Sequence, residues 1–177
     1  IKTRIAPISA AIARNQLARL DANNRRRNES LVYLSHGLET LGIHTFLSPA
    51  HVERVYFEFL VRPDCPQIGL SMETLIDALK AEGCEVAHPR YPLLHQQPFF
   101  TEGALFSVMR PGPDVVRPDY AAVSLPFIEQ ANANMLKLPS FPRAEKELLD
   151  QYLTAFGKVI HHAPEIADHA GATAAVA

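Results

Sequence analysis

Between residues 52 and 62 the chain alternates, with a period of two, between two series of side chains. Such alternation among aromatic and β-branched residues is typical of a β-strand that buries one face. The apolar series is Val55, Phe57, Phe59 and Val61, and the other series is Arg54, Tyr56, Glu58, Leu60 and Arg62. We therefore expect this strand to lie in an antiparallel sheet whose second face is partly exposed to solvent.

The next segment predicts a helix followed by a second strand. Ser71 suits a helix N-cap and Gly83 suits a C-terminus, and between them Met72, Leu75, Ile76 and Leu79 recur at helical spacing. Residues 84–87 then have the composition of a short strand. This strand–helix–strand order predicts an α/β fold, an α+β sandwich in which helices cover a small, mainly antiparallel sheet.

The remaining segments predict mostly helices. The segment from Pro7 to near Gly42 predicts either one long helix with a polar middle or two helices that meet at residues 23–28. We favour the single helix, because no Gly or Pro interrupts residues 8–36. A helix over residues 120–135, with an alternative start near Pro126, is expected to turn Phe127, Ile128, Ala131 and Met135 inward, and residues 136–139 predict a short strand. Pro142 is expected to open a last helix. We assign residues 1–165 to one domain and expect residues 166–177 to be a disordered tail.

Composition narrows the classes of partner and environment. The chain has 177 residues and a formal net charge of −2, which argues against a nucleic-acid or membrane partner bound by bulk electrostatics. Its two cysteines make no disulfide framework, so a reduced, cytoplasmic setting is expected. Ile1 is not an initiator methionine, and we expect the chain to begin inside a longer protein.

Residues 84–100 form the stretch with the most chemically useful side chains. After Pro89 it carries Arg90, Tyr91 and His95, and residues 88–119 have little periodicity beyond a possible short helix near residues 101–108. Arg90 and Tyr91 suit recognition of a carboxylate, a phosphate or a sugar hydroxyl, or they are simply a surface arginine and a packed tyrosine.

Other candidate chemistry in the chain is weak. His88 and His95 either make hydrogen bonds within the loop or contribute to a composite site, and the ligand spacing of a metal site is missing. A nucleophilic pair of Cys84 and His88 lacks an orienting group. The arginines at positions 25–27 form either a solvated face or a contact with a neighbouring subunit or an anionic ligand. No self-sufficient catalytic motif is present.

Several segments nevertheless follow one another in a familiar order. They are residues 4–13, Gln16-Leu17, Leu20-Asp21 with the arginine run, the strand at 55–61, the helix end at 81–83, residues 91–98, residues 136–141 and the final helix. In this order the chain resembles the C-terminal region of DegT-type nucleotide-sugar aminotransferases, which are fold-type-I enzymes that use pyridoxal 5′-phosphate. The resemblance covers nearly the whole chain except its tail.

This resemblance implies a function for the full-length parent. It implies transfer of an amino group from an amino acid to a nucleotide-linked keto-sugar or a cyclitol, in a homodimer whose N-terminal domain carries the cofactor-binding lysine. The lysines of this chain do not match that lysine's motif, so we expect no covalently bound cofactor and no catalytic residue here. The alternatives are a sugar dehydratase on the same scaffold and a non-catalytic binding or assembly domain.

The resemblance also implies roles for individual residues. Arg4 and Lys2 would lie near the cofactor phosphate of the neighbouring subunit, although Lys2 occupies a position where the family commonly has asparagine. Arg90, Tyr91 and His95 would lie on the substrate-facing loop and bind substrate. No metal ligand is implied.

Overall fold

Three short antiparallel strands form the sheet in the computed structural model, which describes residues 4–104, 108, 112 and 119–174. They are β1 (His44–Thr45), β2 (Phe59–Arg62) and β3 (Leu136–Leu138), in the spatial order β1–β2–β3. His44 is paired with Arg62 across β1 and β2, and Leu60 with Lys137 across β2 and β3. The sheet therefore joins segments that are distant in the sequence.

The two faces of this sheet differ in burial, as the alternation predicted. Phe59 and Val61 on β2 and Leu136 and Leu138 on β3 are buried. Leu60 and Lys137 point to the opposite face and are half-buried, while Arg62 on that face is exposed. We call this second side the open face of the sheet.

Helices provide most of the remaining structure. They are α1 (Pro7–Leu17), α2 (Leu20–Thr40), α3 (Cys65–Ile68), α4 (Met72–Ala81), α5 (Pro98–Thr101), α6 (Pro126–Ala133), α7 (Lys146–His161) and α8 (Ala163–Ala174). Short 3₁₀ turns occupy Leu94–Gln96 and Tyr120–Ala122. Within the described ranges, no helix combines the length and apolar character needed to cross a membrane.

The core lies between the buried sheet face and helices α2, α4 and α7. Its fully buried side chains come from all of these elements and include Leu31, Leu34, Leu38, Leu75, Leu79, Val61, Leu136 and Phe156. Helices α2 and α7 approach so closely that a Cβ atom at Gly37 would lie 2.5 Å from both Cδ atoms of Leu153. Surface contacts support this packing, since Lys158 Nζ lies 2.7 Å from Glu82 Oε1.

Several predictions are confirmed. The fold is the predicted α/β type, with a small antiparallel sheet covered by helices. Ser71 caps α4 by accepting a hydrogen bond from the Thr74 N–H at 3.1 Å, and the residue at the C-terminal end, Gly83, has a φ of +87°. The predicted short strand at residues 136–139 is β3, and the helix expected to open at Pro142 is α7, which begins at Lys146 and is followed by α8.

The prediction of one long N-terminal helix is wrong. The chain forms α1 and α2 instead, because the Arg19 N–H bonds to the Gln16 carbonyl in a tighter turn and interrupts the regular ladder. No residue of α1 is buried, so core packing does not hold it in line with α2. The bend therefore arises locally, without the Gly or Pro that would have signalled it.

The first predicted strand is shorter than expected. Val55 and Phe57 are exposed and Tyr56 is buried, which reverses the predicted faces before Phe59. Before Phe59, the backbone accepts hydrogen bonds from side chains and not from a neighbouring strand. Arg27 Nη1 donates to the Tyr56 carbonyl at 3.1 Å, so one arginine of the 25–27 run is used inside the fold, whereas Arg25 and Arg26 are exposed.

The second predicted strand, residues 84–87, is reduced to a single bridge between Ala87 and Lys137. One reason is that the Glu85 N–H donates to the Tyr152 hydroxyl at 2.9 Å and not to a strand. The Tyr152 hydroxyl of α7 thus accepts the hydrogen bond that a neighbouring β-strand would otherwise accept.

Two helix predictions are also corrected. Phe127, Ile128 and Ala131 of α6 are exposed, because no described element covers that side of the helix. Residues 166–174 are helical where a disordered tail was expected, and Ile166 and Ala167 pack against the core. Residues 175–177, and residues 105–107 of the short helix predicted near 101–108, lie outside the described residues.

Replacement of Phe156 by Ala tests the position of the core. Phe156 is fully buried, so this change should lower the free energy of unfolding by about 3–5 kcal/mol through lost burial and a residual cavity. Leu148→Ala on the same helix is the control, because Leu148 is 42% exposed and its loss should cost under about 1 kcal/mol. Urea unfolding of the 177-residue chain measures both, and equal losses would place the core elsewhere.

Candidate functional site

The loop that begins at residue 88 is attached to the edge of the sheet. The Ala87 N–H donates to the Lys137 carbonyl at 3.1 Å, and the Lys137 N–H donates back to the Ala87 carbonyl at 2.7 Å. The chain then passes Pro89 and Pro92, which restrict its backbone. These two hydrogen bonds fix where Arg90 and Tyr91 leave the sheet.

Arg90 forms an ion pair with Glu58, the residue immediately before β2. Its Nε lies 3.0 Å from Oε1 of Glu58, whose side chain is 13% exposed, whereas that of Arg90 is 54% exposed. The guanidinium also lies 5.5 Å from the ring centroid of Phe57. The Arg90 Nε is close to Oε1 of Glu58, but that oxygen is buried and no described residue donates a well-aligned hydrogen bond to it. The ion pair therefore leaves both groups with unused hydrogen-bonding capacity.

These residues line a small cavity. It has a volume of about 290 Å³ and is bounded by Phe57, Glu58, Arg90, Lys137 and Ser140, among others. A buried carboxylate, a half-exposed guanidinium, an amine and a hydroxyl offer both acceptors and donors. This cavity can accommodate a small polar ligand bearing hydroxyl or carboxylate groups, and we call it the Glu58–Arg90 cavity.

His95 lies deeper in the structure than Arg90. Its side chain is only 10% exposed, and its Nε2 lies 3.0 Å from Oε1 of Glu129 on α6. The same oxygen accepts a hydrogen bond from the Leu125 N–H at 2.9 Å. This Leu125 hydrogen bond, followed by the one from His95, lowers the pKa of Glu129. His95 thus connects the loop to the start of α6.

The structure places the other predicted site residues apart from these contacts. Tyr91 is exposed beside Arg90, and His88 is exposed as well. Arg4 is exposed before α1 and lines none of the cavities described here, and Lys2 lies outside the described residues. Arg90 and His95 are each matched with a carboxylate, but no contact joins Arg4 to either of them.

Cys84 is unsuited to nucleophilic chemistry. It is buried, and this burial, followed by the nearby Glu82 carboxylate, raises the pKa of its thiol to about 11. The thiol is therefore protonated at neutral pH, and a protonated thiol is a poor nucleophile. In the described ranges, no group of three or more His, Cys, Asp or Glu side chains is placed to hold a metal ion.

Sequence reasoning did not identify Glu58, Glu129 and Lys137 as site residues. Glu58 carried a weak signal, since it is the one acidic side chain between Arg54 and Arg62. Glu129 and Lys137 carried none, because their roles depend on contacts with residues 34 and 50 positions away.

The paired Glu129 and His95 give a prediction about acid stability. Because the folded-state pKa of Glu129 lies below its ordinary value of 4.5, its contribution to stability is present above that value and is lost as pH falls through the folded pKa. In an NMR titration of the carboxyl carbon, His95→Ala should raise this pKa only in part, because the Leu125 hydrogen bond is the larger cause.

Two outcomes of this titration would contradict the assignment. One is an ordinary Glu129 pKa in the unsubstituted chain. The other is complete recovery of the ordinary pKa in His95→Ala, which would make His95 and not Leu125 the main cause. Glu129→Gln serves as the control, since it should remove this part of the acid dependence altogether.

Comparison with known proteins places these features in context. The model of the DegT/DnrJ/EryC1/StrS aminotransferase family matches residues 1–156. The fold is similar to a DegT DnrJ EryC1 StrS aminotransferase from Brucella abortus, with a TM-score of 0.64 and 18% identity over 86% of this chain and 35% of that one. It is also similar to DesV from S. venezuelae, solved in complex with a ketimine intermediate, with a TM-score of 0.62 and 23% identity over 89% of this chain and 37% of that one. The chain thus spans about a third of each of these proteins.

Proposed function

This chain belongs to the DegT/DnrJ/EryC1/StrS aminotransferase family, and we propose that it is the C-terminal part of a pyridoxal-phosphate-dependent aminotransferase. The parent enzyme would transfer an amino group from an amino acid to a nucleotide-linked keto-sugar or a cyclitol. The observation that carries this proposal is the family match over residues 1–156. The overlap with about a third of two solved structures supports a larger parent, which would act as a homodimer.

The described residues do not by themselves fit pyridoxal phosphate. Lys146 and Lys158 are engaged by carboxylates, at 2.9 Å from Asp150 and 2.7 Å from Glu82. Lys137 lines only the small Glu58–Arg90 cavity, and Arg4 is exposed. We therefore assign the cofactor to an N-terminal domain of the parent. Arg4 and Lys2 remain proposed contacts to the cofactor phosphate of a neighbouring subunit.

The role proposed for this chain is substrate binding and positioning. The exposed part of the Arg90 guanidinium presents planar donors that suit a carboxylate or sugar hydroxyl, and the Tyr91 phenol adds a donor and an acceptor. His95 is too buried to bind a ligand freely, so its contribution would be to hold the loop through Glu129. Glu58 would orient the Arg90 guanidinium through the ion pair between them.

The first test compares the chain with its parent. The 177-residue chain should bind pyridoxal phosphate weakly or not at all and should show no aminotransferase activity, because none of its lysines matches the sequence motif of the family's cofactor-binding lysine. The complete encoded protein should bind the cofactor, visible as an absorption band, and should convert a keto-sugar to an amino-sugar with an amino acid as donor. Turnover by the chain alone would contradict the assignment of the cofactor to another domain.

The same assay distinguishes the other functions and tests the loop. Loss of a sugar hydroxyl without consumption of an amino acid would indicate a dehydratase, and a complete protein that binds no cofactor would indicate a binding or assembly domain. Within an active parent, Arg90→Gln should raise KM for the sugar by roughly tenfold, the scale of a lost charge-assisted hydrogen bond. Arg14→Gln, at an exposed site on α1, is the matched control.

A further inference from the structure

A groove between helix α4 and the helices α7 and α8 encloses a second cavity. Its volume is about 820 Å³, which lies within the range of small-molecule sites. It shares no lining residue with the Glu58–Arg90 cavity. One wall is a single face of α4, because its lining residues recur at helical spacing, as Thr74, Asp77, Ala78 and Ala81. We call this cavity the α4–α8 groove.

Most of the opposite wall follows the segment that matches the family. The family model ends at residue 156, and seven of the twelve described residues that line the groove come after it. They belong to the end of α7, to His162 and to the start of α8. The chemistry of the family therefore gives no account of this groove, and its ligand has to be inferred from the groove itself.

The floor of the groove is apolar and lined with small side chains. Val159 is buried, and Ile166, Ala78 and Ala170 are half-buried. Alanine side chains leave space between the helices that larger residues would fill. An alkyl chain or a ring placed on this floor would be removed from water, which is favourable in proportion to the apolar area buried.

The charged groups around this floor are mostly carboxylates. Lys158 is engaged, since its Nζ lies 2.7 and 2.8 Å from the two carboxylate oxygens of Glu82. Glu165 is engaged as well, with its Oε2 2.7 Å from Nδ1 of His162. Asp77 is exposed on the α4 wall and makes no hydrogen bond or ion pair with any other residue in the described ranges. The unpaired charge of the groove is thus negative.

We propose that the α4–α8 groove binds an organic ammonium ion, a small molecule with an apolar chain or ring and one protonated amine. The apolar part lies on Val159 and Ile166, and the ammonium group donates to the Asp77 carboxylate. An anion is disfavoured, because Glu82 already occupies the Lys158 ammonium. Twelve lining residues also suit a small molecule better than a protein, since a stable protein interface takes about 20–30 residues on each side.

This inference is independent of the proposed function, because binding to the groove requires neither the cofactor nor amino transfer. The test measures dissociation constants on the 177-residue chain by calorimetry, with octylamine, 1-octanol and octanoate as probes that share one apolar chain. Octylamine should bind roughly fivefold tighter than 1-octanol, the upper end for an exposed ion pair. Octanoate should bind more weakly than 1-octanol, because Asp77 repels it.

Two variants separate the charge from the apolar floor. Asp77→Asn should remove the difference between octylamine and 1-octanol and leave the affinity for 1-octanol unchanged. Ala81→Leu should weaken the binding of all three probes, because the larger side chain narrows the groove. Both positions are exposed, and leucine is a good helix former, so the variants should fold, which circular dichroism checks.

Matched controls distinguish the groove from general surface binding. Glu73→Gln removes another exposed carboxylate of α4, and Ala13→Leu enlarges an exposed alanine of α1; neither residue lines the groove. Both control variants should bind octylamine like the unsubstituted chain. The proposal would be overturned by absence of octylamine binding, by octanoate binding as tightly as octylamine, or by losses in the controls equal to those in Asp77→Asn and Ala81→Leu.

Discussion

Burial of one face of the small sheet against helices α2, α4 and α7 supports every other part of this structure. Phe59, Val61, Leu136 and Leu138 enter the core from the sheet, and Phe156 meets them from α7. Burying such side chains contributes on the order of 1.5–3 kcal/mol each before the entropy of folding is subtracted. Because this sheet buries apolar groups on one side only, its other side remains available for polar groups and ligands.

The open face organises the chemistry of the chain. Glu58, which immediately precedes β2, and Lys137 on β3 both line the Glu58–Arg90 cavity. Residues 88–97 have no strand or long helix of their own, so contacts with other segments position them, including the Ala87–Lys137 bridge, the Glu58–Arg90 ion pair and the His95–Glu129 hydrogen bond. A rigid, one-sided scaffold thus positions an irregular loop, which is a common arrangement for binding residues.

The sequence predicted the elements whose stability is local or periodic. Helix α4 was predictable because its cap, apolar spacing and glycine stop all agree, and the alternation over Phe59–Arg62 was correct. Predictions failed where distant side chains bond to the backbone, as Arg27 does at Tyr56 and Tyr152 at Glu85. Of the site, Arg90 and His95 were singled out from sequence, but the carboxylates that hold them were not, since no local pattern encodes a contact between distant segments.

Amide hydrogen exchange on the 177-residue chain tests most directly the claim that one-sided burial of the sheet holds the domain together. The amides of residues 31–38, of β2 and β3, and of α7 should exchange only through global unfolding and should be the slowest in the chain. Those of α1, which buries no residue, should exchange faster by orders of magnitude. Slow exchange in α1, or fast exchange at Val61 and Leu136, would contradict this account.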